Sequence, residues 1–186
     1  MEFSQYVDVL EGGYIFEALT VPNDYLADEI SDIENQTISA IVSGSSSEKM
    51  WDGVLFPPSP FPNSITSTFG NRRSYNGSPY DYFHTGVDFG GGLGVQIFAV
   101  APGTVVFAEE TTVRGNATII DHGWGIYSGY WHQSELMVSV GDTVTEGQVI
   151  GLVGNTGRSN GAHLHWELWV NGVSVNPLSW LYNEYP

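Results

Sequence analysis

The 186-residue chain holds five histidines: His84, His122, His132, His163 and His165. Four of them stand where local spacing could build a metal site. In His163-Leu164-His165 the imidazoles are two residues apart. On a strand, residues i and i+2 project to one face, so both rings would point together while Leu164 turns to the core. Tyr130-Trp131-His132 repeats the pattern, with Tyr130 and His132 expected to share a face. His84-Thr85-Gly86-Val87-Asp88 offers an imidazole and a carboxylate, with Gly86 expected to let the backbone bend between them. Imidazole nitrogen and carboxylate oxygen are zinc donors, and three protein ligands with an open fourth position suit metal-assisted hydrolysis. A lone His-x-x-x-Asp is most often a surface hydrogen-bond pair, and a lone His-x-His is commonly structural. The conjunction, in a chain with so few histidines, is what points to metal chemistry.

These residues sit in a sequence that reads mostly as strands. Glycine is abundant, at 23 residues, and helical periodicity is scarce. Gly103–Ala108, Ala117–Ile120, Val149–Val153 and His163–Val170 are apolar or alternating runs bounded by turn residues. From about Leu55 onward the pattern predicts an all-β domain, a two-sheet sandwich or partly closed barrel. Ahead of it lies a different kind of segment. Eleven of the 21 acidic residues precede Val54, against one base, Lys49. Residues 1–53 therefore read as an acidic appendage, and residues 54–186 as the domain carrying the histidines. Within the appendage, Tyr6–Leu10 and Tyr14–Phe16 flank Glu11-Gly12-Gly13 as a predicted hairpin. Pro22-Asn23 opens a predicted helix on which Leu26, Ile30, Ile33 and Ile41 recur at near-helical spacing. Ser43–Ser47 stops it, and Pro57-Pro58-Ser59-Pro60 is a stiff lead-in to the next unit. The appendage could shield a cleft or be the remnant of a larger upstream domain.

A formal charge of −16 with only five basic residues argues against nucleic acid or anionic membrane surfaces as partners. No apolar run approaches membrane-spanning length, so no membrane insertion is expected of this chain. Cysteine is absent, which excludes disulfides and thiolate metal sites. Met1–Gln5 has neither the basic start nor the apolar stretch of a secretory leader. If the protein acts outside the cytoplasm, a trimmed form or a fragment is expected. A monomer is the expected state.

Further motifs run in order along the chain. They are Ile65–Arg72, His84–Phe89, Ala101–Val106, Asp121–Gly125, Tyr130–His132, Val140–Gly151, Gly154–Gly157 and Gly161–Glu167. Together they resemble the lysostaphin-like, or LytM-type, zinc endopeptidases of bacterial cell walls, from about Leu55 to Leu181. The resemblance implies zinc ligands at His84, Asp88 and His165, and two catalytic histidines, His132 and His163, beside the metal. It also implies a peptidoglycan peptide substrate and an extracytoplasmic location. His122 has no metal role in this pattern. A substrate-side tyrosine is expected before the first histidine, at Tyr80 or Tyr82. Gln133 replaces a commonly apolar residue and is expected to alter the rim of the cleft; Asn160 replaces a frequent threonine. Two other readings bear on the same residues. One is a catalytically silent or autoinhibited wall-binding or regulatory module of the same fold, whose mark would be missing ligands. The other is a swinging-arm carrier, which Val140–Gly151 resembles. A carrier needs a lysine at a hairpin tip, and the only lysine, Lys49, lies in the acidic segment.

Overall fold

The computed structural model describes residues 14–17, 23–44, 46–77, 79–80 and 82–185. Strand β1 is Tyr14–Glu17, and a 3-10 turn at Asn23–Leu26 leads into helix α1, Asp28–Val42. Then come β2 Ile65–Ser67, β3 Arg72–Tyr75, β4 Tyr82–Phe83, β5 Gly86–Phe89, β6 Gln96–Phe98 and β7 Gly103–Thr111. The rest are β8 Gly115–Asp121, β9 Ile126–Leu136, β10 Thr143–Val144, β11 Val149–Val153, β12 Leu164–Val170 and β13 Val173–Val175. A ten-stranded antiparallel sheet runs β10-β7-β8-β9-β12-β5-β2, with β11, β6 and β13 attached off this path. No closed barrel forms among the described strands, which fits the partly closed sheet expected. A second, three-stranded sheet has the order β1-β3-β4. The predicted hairpin falls largely outside the described residues. Its second arm is β1, which pairs with β3 in parallel.

Alternation along β12 places its residues on two faces, both buried. Leu164, Trp166 and Leu168 enter one core with Val87, Phe89, Tyr130 and Ile150. Trp169 enters the other with Phe107, Ile119, Trp131 and the helix residues Ile38 and Val42. His165 and Glu167 share the second face with Trp169. One end of that face is thus covered by α1, and the other carries the histidines.

The helix buries only part of the predicted stripe: Ile30 is half-buried and Ile41 packs against the second core. Ile33 is 60% exposed, whereas Ser31, Ile38 and Val42 are buried. Positions 31, 38 and 42 are spaced as one helical stripe as well as 30, 33 and 41 are, and contact with the sheet decides which are covered. Asp28 and Glu29 occupy the first turn, where carboxylates meet the positive end of the helix dipole. The helix ends at Val42, and Ser43 caps it by donating its N–H to the carbonyl of Ser39.

His122 is a structural core residue, as expected of a histidine outside the metal pattern. Its Nδ1 donates to the carbonyl of Pro102 at 2.8 Å, and its Nε2 lies 2.7 Å from Ser128 Oγ. Burial pushes its pKa from 6.5 down to about 4. The folded state keeps this ring neutral while the unfolded chain binds a proton below pH about 6.5. Its contribution to stability is therefore whole above that pH and is lost as pH falls toward 4, by about 3 kcal/mol in all. In urea unfolding between pH 7 and 4, His122→Asn is expected to show a shallower acid-side loss than the parent. Parallel stability curves for the two proteins would contradict this.

Candidate metal centre

Antiparallel pairing of β5 with β12 sets His165 opposite Asp88 and Glu167 opposite Gly86. His84 lies two residues before β5, held by backbone hydrogen bonds in which its N–H donates to Asn71 and its carbonyl accepts from Gly70. The result is a tight trio. His84 Nε2 lies 3.0 Å from Asp88 Oδ1 and 2.9 Å from His165 Nδ1, and the last two atoms are 2.8 Å apart.

Each member of the trio is held from behind by its other polar atom. His84 Nδ1 donates to the carbonyl of Thr68 at 2.8 Å, so it carries the proton and Nε2 is the lone-pair atom. His165 Nε2 donates to Glu167 Oε1 at 2.9 Å, so in the neutral ring Nδ1 is the lone-pair atom. Asp88 Oδ2 accepts from Arg73 at 2.6 Å, with Oδ1 facing the histidines. Three electron-pair donors converge in a buried place. As neutral imidazoles beside a carboxylate they would repel; a cation among them removes that cost. Two nitrogens and one oxygen within 4.8 Å of one another form a donor set that fits a divalent metal such as zinc.

The electrostatics follow from burial and these contacts. Burial lowers the pKa of His84. Burial alone would raise that of Asp88, but neighbouring His165 and His84 hold it well below the usual carboxylate range. For His165, burial is outweighed by Asp88 and Glu167, which raise its pKa.

His132 and His163 lie beside the trio. Their ring centroids are 4.8 Å apart, and His132 is 6.3 Å from His165. His132 Nδ1 donates to the carbonyl of Thr156 at 2.8 Å, and His163 Nδ1 to that of Gly161 at 2.8 Å. In the neutral tautomers these bonds select, Nε2 is the lone-pair atom of each ring. That of His163 is 3.8 Å from Asp88 Oδ1. Burial pushes the pKa of His132 well below its ordinary value, and His163 and His165 add to the effect, so the ring is neutral at neutral pH.

Three expectations change at this level of detail. Tyr130 and His132 do not share a face. The β8–β9 register shifts between Asn116 and Thr118, and His132 has φ +62°. This left-handed bulge residue breaks the alternation: Tyr130 is fully buried in the core while His132 joins the histidines. Such a conformation costs a non-glycine residue about 1–3 kcal/mol unless neighbours enforce it. Gly86 makes no bend. It is a strand residue whose missing side chain leaves room, since a Cβ there would lie 2.8 Å from His165 Nε2 and 2.4 Å from the carbonyl oxygen of Trp166. Gln133 is not at a rim: it is fully buried and donates to Thr118 and to the carbonyl of Tyr130. The hydroxyl of Tyr82 is turned to α1, donating to Asp28 at 2.6 Å.

Glu167 is the residue that spacing did not single out. Besides His165, its Oε1 accepts from Thr85 Oγ1 at 2.7 Å and Trp131 Nε1 at 3.1 Å. Burial would raise its pKa, but the bond from His165 brings it down to about 2. Its position two residues past His165 on the same strand face was the available signal. Arg73 left no such signal, because its link to Asp88 joins separate strands.

The model of Peptidase family M23 matches residues 82–177, which include all five of these histidine and aspartate residues. The peptidoglycan DD-endopeptidase ShyA of Vibrio cholerae is 39% identical over 114 residues, covering 61% of this chain and 26% of its own. A solved zinc containing peptidase from Vibrio cholerae has a TM-score of 0.65 at 27% identity, over 73% of this chain and 41% of that one. The catalytic domain of lysostaphin from Staphylococcus simulans gives 0.56 at 31% identity, over 63% of this chain and 90% of that one. The chain belongs to peptidase family M23, a family of metallopeptidases. It spans about a quarter of the length of the curated relatives it matches.

Glu167→Gln keeps an acceptor near His165 but removes the charge. It is expected to weaken metal retention by about 10–100-fold, measured by competition with a chelator of known affinity. Parental affinity would show that Glu167 only packs.

Proposed function

We propose that this chain is a zinc-dependent endopeptidase domain that hydrolyses peptide bonds of peptidoglycan, in stem peptides or cross-bridges, outside the cytoplasm. The convergence of His84 Nε2, Asp88 Oδ1 and His165 Nδ1 carries this reading, since these three donor atoms within 4.8 Å of one another fit a divalent metal. Support for the substrate comes from ShyA, which is named a peptidoglycan DD-endopeptidase. In this reading His84, Asp88 and His165 hold the metal, and no ligand is missing as a silent module would require. When bound, zinc supplies Lewis acidity toward a carbonyl and lowers the pKa of water to about 7.

The remaining work falls to His132 and His163. The carbonyls of Thr156 and Gly161 fix both rings with Nε2 free. One Nε2 accepts the proton of the water that attacks the peptide carbon. As the C–N bond breaks, that proton passes to the leaving amine nitrogen. The other ring, close enough to feel the same charge, orients the water or stabilises the developing oxyanion. A neutral His132 is in the correct state to accept a proton.

Ligand and catalyst should separate by mutation. His84→Ala, Asp88→Ala and His165→Ala are expected to lose metal and turnover together. His132→Ala and His163→Ala are expected to keep the metal and to lose about 10²–10³-fold in turnover on purified peptidoglycan. If the two rings act as a unit, the double variant is little worse than either single one. Metal lost from a folded His132→Ala or His163→Ala protein would reverse the assignment, and turnover near the parent's would remove both residues from the chemistry.

A further inference from the structure

Helix α1 presents one charged residue toward the sheet. Glu34 lies on the stripe of Ser31 and Ile38, with its side chain only 11% exposed. It reaches the turn between β7 and β8. Its Oε1 accepts from the backbone N–H of Val113 at 2.7 Å. Its Oε2 accepts from the backbone N–H of Arg114 at 3.3 Å and from the Arg114 guanidinium at 3.3 Å. The guanidinium also donates to Asn35 at 2.8 Å and lies over the Trp131 ring at 5.4 Å. One carboxylate thus clamps two successive backbone amides of a turn, an arrangement that fixes backbone more firmly than a packing contact would.

That turn holds His132. The carbonyl of Arg114 accepts the backbone N–H of His132 at 2.8 Å. The His132 ring is oriented by the carbonyl of Thr156, and Thr156 is anchored to the same turn region. Its Oγ1 accepts from the N–H of Asn116 at 2.9 Å, and it packs so closely on Gly115 that a Cβ there would lie 2.2 Å from it. The N–H of Arg158 donates to the carbonyl of Val113 at 2.8 Å, tying the loop after Thr156 to the turn a second time. The hold on His132 at its amide passes through Arg114, and the hold at its ring rests in part on Gly115 and Asn116, with Thr156 Oγ1 also donating to the carbonyl of Gln133 at 2.8 Å. His132 has φ +62°, a conformation that depends on its surroundings.

We infer that Glu34 is a positioning residue for the reaction: it fixes the Val113–Arg114 turn, and the turn sets the backbone and ring of His132. This rests on the reading of His132 as catalytic. It also makes α1 a working part of the catalytic unit, although its charge groups it with the acidic segment ahead of residue 54. Loss of the clamp leaves substrate and metal contacts in place and shifts a proton acceptor. Small displacements of a reacting group cost up to about 10²-fold.

The test compares Glu34→Ala and Glu34→Gln with Val42→Ala, all in the zinc-loaded chain. Val42 is buried at the last residue of the same helix, eight residues beyond Glu34. Glu34→Ala is expected to lower kcat on purified peptidoglycan by about 10-fold or more, with KM and zinc content unchanged. Glu34→Gln, which keeps one acceptor, is expected to recover part of the loss. Val42→Ala is expected to lower the melting temperature while keeping kcat. By NMR, the His132 amide and ring Nδ1–H should exchange faster with solvent in Glu34→Gln than in the parent. In the His132→Ala background, Glu34→Ala should add no further loss. Parental kcat and His132 exchange in both Glu34 variants would overturn the inference. So would a further loss of kcat when Glu34→Ala is added to His132→Ala. Parental turnover in His132→Ala alone would instead overturn the catalytic reading of that residue, and this inference with it.

Discussion

Three electron-pair donors cannot sit within 3 Å of one another in a buried place unless a positive charge belongs there. His84 Nε2, Asp88 Oδ1 and His165 Nδ1 do sit so, each with its other polar atom engaged behind it. Thr68 takes the proton of His84, Glu167 takes that of His165, and Arg73 occupies the outer oxygen of Asp88. Those outer partners fix which nitrogen of each ring can donate. Turning either ring over would bury an unpaired N–H and would aim a proton at the centre.

Much of the surrounding fold can be understood as what this arrangement requires. The β5–β12 pairing sets Asp88 against His165, and Gly86 leaves the space that His165 and Glu167 fill. Trp131 bonds Glu167 on one side and packs with Trp169 under α1 on the other. The outer partners of the trio are thus continuous with the second hydrophobic core. His132 is held differently. It leaves the regular ladder at a bulge, and the turn at Val113–Arg114 and the carbonyl of Thr156 determine where it points.

The strand-rich domain and the grouping of the histidines were legible in the sequence because both rest on short-range pattern. His163-Leu164-His165 behaves as strand alternation predicts, with Leu164 fully buried. What stayed hidden depends on contacts between distant segments. The face of His132 follows from a register shift, which no alternation rule contains. Glu34 carries no sequence signal of its own, because apolar periodicity on a helix does not mark a carboxylate, even one on the buried stripe. Helix spacing does not say which positions the sheet covers: Ile38, Val42 and Ile41 pack on the second core, and Ile33 faces out. Gln133, read as a rim residue from its place after His132, is buried because the chain beyond the bulge turns back into the sheet.

Anomalous diffraction at the zinc absorption edge, on crystals of the zinc-loaded chain, tests the central claim most directly. A single ion is expected about 2.0–2.2 Å from His84 Nε2, Asp88 Oδ1 and His165 Nδ1, with His132 and His163 outside bonding distance. An ion bonded to His132 or His163, coordination through His165 Nε2, or no ion at the trio after loading would contradict it.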